Sequence, residues 1–145
     1  MTTFQLEHDA IEGNLREVPV STLAWIGDSV FDLYVRMALA SRMSHHNSGD
    51  LHRSAIKMVS APAQAAAMQT LLPFLSQEET SIAKRARNHD PGSLPRNADP
   101  ILYRKATALE ALIGYHYLAR NYNRLTELMK IIIRTYFEKF QVIDN

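Results

Sequence analysis

Apolar residues recur at three- and four-residue spacing along most of the chain, and no stretch alternates apolar and polar residues long enough to propose a strand. The pattern predicts an all-α single domain over 1–145, a bundle of six or seven helices whose core runs roughly from 18 to 138. An unstructured lead (1–18) ends at Val18-Pro19-Val20, and Ser21 is placed to cap a helix reaching about Arg42. His45-His46-Asn47-Ser48-Gly49 reads as a turn, followed by a short helix, Asp50–Val59, with Leu51, Ala55 and Met58 on one side. Ser60 caps the next helix, Pro62 sits in its first turn, and the alanine-rich run 63–72 carries it to Pro73. Ser76-Gln77-Glu78-Glu79 is a capping box that opens a helix to about Asn88. Residues 88–99, punctuated by proline and glycine, form the long irregular connection, of a length usually tied to function or mobility. Asp99 with Pro100 behind it starts the next helix. Asn123 is placed to cap the last one, which reaches about Lys139 with Leu125, Leu128, Ile132 and Tyr136 among its buried candidates.

Two carboxylates interrupt this pattern. On a helical wheel Asp28 has Ser21, Ala24, Trp25, Phe31, Asp32 and Val35 as neighbours, and Glu110 has Tyr103, Ala106, Thr107, Ile113, Gly114 and Tyr117. A carboxylate set in such a stripe loses hydration, so it must be hydrogen-bonded, protonated or bound to a cation. Two of them suggest one shared ion. Small residues flank both: Ala24 and Gly27 beside Asp28, Ala111 and Gly114 beside Glu110. A glycine inside a helix costs about 1 kcal/mol relative to alanine. A close crossing of the two helices would offset that cost and bring both acids within reach of one cation.

Composition narrows the class. With 145 residues, 46% of them hydrophobic and 21% charged, the chain reads as one globular domain. The absence of cysteine excludes disulfides, zinc–thiolate sites and thiol nucleophiles, and is compatible with a reducing cytosol. The N-terminus has no basic region followed by an apolar run, so no signal peptide is expected. Met58–Gln77 lacks Asp, Glu, Lys and Arg, but its prolines and glutamines make it a poor membrane span. These features predict a soluble cytoplasmic protein. The net charge is only +1, yet 84–105 carries Lys84, Arg85, Arg87, Arg96, Arg104 and Lys105 against Asp90 and Asp99. A local basic segment on a near-neutral chain points to a polyanion contacted at one place.

Other motifs carry less. His45-His46 are adjacent in a turn and lack a third metal ligand. His89-Asp90 invites comparison with helical His-Asp phosphohydrolases, but it lies in a Pro/Gly loop rather than on a helix. Glycine-rich phosphate cradles and a Gly-x-Ser-x-Gly elbow are absent. Asp32 reads as a helix-surface charge or as an acceptor behind a metal ligand. Thr107 could hydrogen-bond a metal-bound water or serve packing.

Trp25-Ile26-Gly27-Asp28-Ser29-Val30 resembles the signature helix of the ribonuclease III catalytic domain, and Thr107-Ala108-Leu109-Glu110-Ala111-Leu112-Ile113-Gly114 resembles that domain's second acidic motif. Asn47–Arg53 and Val59–Ala65 fall where that domain has its middle helices. The resemblance spans about 18–138, and with no double-stranded-RNA-binding domain after it the chain is similar to the stand-alone Mini-III branch. It implies an all-helical homodimer that cleaves double-stranded RNA with Mg²⁺, leaves 5′-phosphates, and in bacteria trims precursor 23S ribosomal RNA. Whether a ribosomal protein assists stays open. By the same resemblance Asp28 and Glu110 are the metal-binding catalytic acids, and Trp25 is the candidate dimer anchor, an ordinary core position being the other reading. The six basic residues of 84–105 become RNA contacts, made through shape, phosphates and 2′-hydroxyls. The chain departs from larger ribonucleases III in having Ala24 and Thr107 where those carry Glu and Asp. That sparseness keeps a non-catalytic RNA-binding dimer open as an alternative. A metal-dependent phosphohydrolase of small nucleotides is a third reading, against which the basic segment argues.

Overall fold

The first strongly apolar run, Val20–Arg42, forms α1, and its buried side chains Leu23, Phe31, Val35 and Leu39 recur at helical spacing along one edge. The computed structural model describes residue 11 and residues 13–140. Within them the order is α1, α2 (Ser48–Val59), α3 (Ala61–Leu71), α4 (Gln77–Asn88), α5 (Pro100–Leu118) and α6 (Tyr122–Phe140). Two 3₁₀ turns, Leu15–Glu17 and Leu72–Phe74, complete the regular structure, and no strand occurs among the described residues. The all-α bundle is as expected. Residues 1–10 and 12 of the expected unstructured lead lie outside the described residues.

α5 is the hub. Ala108, Leu109, Ala111, Leu112 and Ile113 are all buried, and α1, α3 and α4 pack around it. A helix apolar on nearly every side belongs in the middle of a bundle. α6 closes the core with Leu125, Leu128, Met129 and Ile132.

Several boundaries differ from those expected. α1 begins at Val20, with Pro19 at the cap position and Ser21 exposed inside the first turn. The Pro19 carbonyl accepts from the Thr22 and Leu23 amides, and the fixed proline φ of −55° leads the chain into the helix without a side-chain cap. α2 starts at Ser48 rather than Asp50, because the Asn47 side chain accepts from the Asp50 amide. α6 starts at Tyr122, one residue before Asn123, with the Asn121 carbonyl receiving the Leu125 amide. Asn and Ser compete for such positions, and sequence alone does not choose between neighbours. The Ser60 cap, the Ser76–Glu79 capping box and the Asp99 cap form as expected.

The capping-box glutamate also has a second use. Glu79 is only 3% exposed, and Arg124 of α6 grips it bidentately, Nε to Oε2 at 2.9 Å and Nη2 to Oε1 at 2.7 Å. His116 of α5 approaches Oε2 at 2.6 Å through Nε2, while the Asn121 amide lies 3.2 Å from its Nδ1. Asn121 Nδ2 can only donate, so Nδ1 accepts and the Nε2 proton goes to Glu79. One carboxylate thereby ties α4, α5 and α6 together. Burial alone would raise its pKa, but hydrogen bonds from Arg124, the Ser76 backbone and His116 outweigh burial and hold it at about 2. Because the folded pKa lies below the ordinary value, this stabilisation is complete above about pH 4.5 and fades as pH falls towards 2. Glu79→Gln leaves Arg124 half-paired and is expected to cost about 3 kcal/mol in urea unfolding at pH 7. The gap to wild type should narrow below pH 4.5.

Candidate active site

α1 and α5 cross at their two glycines. A Cβ built on Gly27 would lie 1.7 Å from the Glu110 carbonyl oxygen, and one on Gly114 would lie 1.9 Å from the Leu23 carbonyl oxygen. Neither distance tolerates a methyl group, so the backbones touch where the sequence placed its notches. The crossing sets Asp28, the residue after Gly27, beside Glu110, one turn before Gly114. Both acids line one cleft of about 480 Å³, together with Ala24, Trp25, Gln64, Thr107, His89 and Arg104 among others.

The two carboxyls are not equally dry. Glu110 is half-buried, and burial, followed by the charge of Asp28, pushes its pKa up to about 8. Asp28 is exposed at the cleft, which corrects the expectation that both acids sit where water is scarce. Its pKa is raised as well, by the burial it does have and then by Asp32. Asp32 is paired through Oδ2 with Arg36 Nε at 3.1 Å, one turn along the α1 surface. The charge of Asp28 thus favours the protonated form of Glu110, and that of Asp32 favours the protonated form of Asp28. All their donor atoms are hard oxygens, a set suited to a divalent cation that keeps waters and takes its remaining ligands from a substrate phosphate. Among the described residues no group of three His, Cys, Asp or Glu side chains is placed to hold a metal, so the pair stands without a third acidic ligand.

The positions flanking the acids explain this. Ala24 is buried in the cleft wall, and the Thr107 hydroxyl donates to the Tyr103 carbonyl at 2.9 Å, which leaves only its lone pairs for a ligand. Trp25 is 75% exposed and also lines the cleft, which removes the core reading of that residue.

The basic segment divides. Lys84, Arg85 and Arg87 project from the exposed face of α4, and Arg96 is exposed in the connection to α5. Lys105 is half-buried on α5, and of the six Arg104 alone lines the acidic cleft, its Nη1 3.4 Å from the Arg87 carbonyl. Arg85 is turned to the chain before α1, donating to the carbonyls of Arg16 and Val18. His89 ends α4 in extended backbone and lines the cleft, off any helix as expected. The sequence places Gln64 within the Val59–Ala65 stretch without singling it out. Its only signal was a polar residue in an alanine-rich helix, four residues after the Ser60 cap.

A helical domain that sets two acids and an arginine in one cleft is equipped to meet a polyanion and a cation together. Comparison with known proteins identifies which domain this is. The Ribonuclease III domain family matches residues 21–121. Mini-ribonuclease 3 of Symbiobacterium thermophilum is 40% identical over 113 residues, 78% of this chain and 86% of that protein. The Mini-ribonuclease 3 of Clostridium tetani is 33% identical over 141 residues, covering 97% of this chain and 93% of its own. A crystal structure of a Fusobacterium nucleatum protein superimposes with a TM-score of 0.74 at 28% identity, covering 84% of this chain and 97% of that one. The chain belongs to the ribonuclease III family, in its Mini-ribonuclease 3 branch.

Proposed function

We propose that this protein is a divalent-cation-dependent endoribonuclease that cuts double-stranded RNA, with Mg²⁺ as its cation and Asp28 and Glu110 as the acids that carry it. The observation that supports this most is the glycine crossing that places both acids in one cleft with Arg104. A divalent ion bound there supplies charge neutralisation at a phosphate and acidifies a bound water. The chain's own residues do the rest. Glu110, pushed up to about 8 by burial and Asp28, holds its proton until a positive charge arrives, so it gives up that proton on meeting a cation. Asp28, at the open side, offers its oxygens where a substrate enters. Arg104 is placed to meet an RNA phosphate, and the exposed Lys84, Arg87 and Arg96 would serve as further phosphate contacts. Water as the nucleophile breaks the bond to the 3′-oxygen and leaves a 5′-phosphate and a 3′-hydroxyl.

Precursor 23S ribosomal RNA in the bacterial cytoplasm is the substrate that the resemblance suggests. No helix among the described residues is long and apolar enough to cross a membrane. The assay is direct. A perfectly paired RNA should be cut in Mg²⁺, left intact in excess chelator, and cut far faster than its unpaired strands. Equal cutting of paired and unpaired RNA would count against the reading. A non-catalytic RNA-binding role has one specific observation in its favour, the Ala24 and Thr107 positions that leave only two acids at the cleft.

The protein is also proposed to work as a homodimer through α1. Trp25, Leu33 and Met37 stand exposed along that helix at intervals of eight and four residues, apolar side chains that a second copy would cover. Wild type should elute at about twice 16.5 kDa, and Trp25→Arg should elute as a monomer. A monomeric wild type at micromolar concentration would contradict the assignment.

A further inference from the structure

Gln64 lies in the first turns of α3, which packs against α5 under the cleft. Its side chain is 2% exposed, and its Nε2 is the one buried side-chain nitrogen or oxygen without a hydrogen-bond partner among the described residues. Protein interiors rarely keep such a donor, because an unmade hydrogen bond costs more than an apolar group of the same shape. Gln64 is among the residues that line the cleft holding Asp28 and Glu110.

The chemistry of the missing partner follows from the donor. An amide nitrogen can only donate, so its partner must accept. Water on a divalent cation directs its protons outward and offers no strong acceptor, which removes the metal shell as the match. The cleft's own carboxylates do not reach it, since Nε2 has no partner in the folded chain. An acceptor that the folded chain does not supply can arrive with the ligand, and the polyanion of this site is RNA. We infer that Gln64 is a substrate-contact residue whose Nε2 donates to a non-bridging oxygen of an RNA backbone phosphate held in the cleft. This rests on the reading of the cleft as a double-stranded-RNA cleavage site. A neutral donor suits the place: it grips the phosphate without adding a charge that would compete with a cation for the two acids.

Gln64→Met tests it, because methionine keeps the volume and removes the donor. The variant should melt no lower than wild type, since it deletes an unsatisfied group. Binding of a paired RNA, measured by fluorescence anisotropy in Mg²⁺ in a Glu110→Gln background that spares the RNA, should weaken about tenfold. The slope of log affinity against log salt should stay constant, as no counterion-releasing contact is lost, whereas Arg104→Gln should flatten it. Gln64→Glu, which turns the donor into an anion, should bind more weakly still. A melting temperature lowered by more than about 4 °C would make Gln64 an internal structural group and overturn the inference. So would an affinity loss of less than fivefold. Wild-type cleavage of the same RNA is followed alongside: if wild type fails to cut, the reading of the cleft is at fault. If it cuts while Gln64→Met binds undiminished, Gln64 alone is misassigned.

Discussion

Gly27→Ala is expected to cost about 3 kcal/mol or more of folding stability and to lower the melting temperature by about 10 °C. In a solvent-facing helix the same change would gain about 1 kcal/mol. The sign reverses here because the new methyl would sit 1.7 Å from the Glu110 carbonyl oxygen and 2.8 Å from the Gly114 amide nitrogen, both backbone atoms that cannot rotate away. Relief requires α1 and α5 to part. Parting them opens the packing of Leu23 and Phe31 against the central helix, in a core with few voids to absorb the change. It also draws Asp28 away from Glu110, so activity should fall further than stability. Gly114→Ala meets the Leu23 carbonyl at 1.9 Å and should behave alike. Gly49→Ala is the control: at the start of α2 its methyl meets only the Asn47 side chain at 3.3 Å and that of Arg53 at 3.5 Å, and the change should stay below about 1 kcal/mol. Urea unfolding of the three variants checks the set.

The same crossing shows what the chain reveals without a structure. Glycines inside two apolar helices are costly unless something needs the space, so Gly27 and Gly114 announced a contact and, with it, the meeting of Asp28 and Glu110. The capping box at Ser76 and the Asp99 cap were legible for a similar reason, since local hydrogen bonds are written within four residues. Legibility ended where neighbours offered equivalent chemistry. Pro19 rather than Ser21 leads α1, and Asn121 rather than Asn123 precedes α6. It also ended where the partner is remote. The Glu79 carboxylate meets His116 37 residues away and Arg124 45 residues away, a tie that only the packing of α4, α5 and α6 creates. Trp25 could be read as core or interface from its helix position, and its 75% exposure decides against the core. Gln64 was invisible because its distinguishing property is an absent hydrogen bond. The basic segment was legible as a charge, but not in its division of labour: Arg85 secures the chain before α1, and Arg104 faces the cleft.

The acids themselves carry the largest expected effect on activity. Asp28→Asn and Glu110→Gln remove half of an already sparse donor set, and each should slow cleavage at least about a thousandfold, roughly 4 kcal/mol of transition-state stabilisation. Neither should unfold the protein. Glu110, held near 8 by burial and Asp28, already carries its proton at neutral pH in the cation-free chain, so an uncharged amide of the same shape fits the site. Asp28 is exposed, and its side chain supports no packing that asparagine would disturb. The most direct measurement is single-turnover cleavage of a paired RNA in Mg²⁺ by wild type, Asp28→Asn and Glu110→Gln, with melting curves of the same preparations. The account predicts that wild type cuts while both variants fall at least a thousandfold below it, with melting temperatures within a few degrees of wild type. Intact RNA with wild type, or either variant cutting within tenfold of it, would contradict the account.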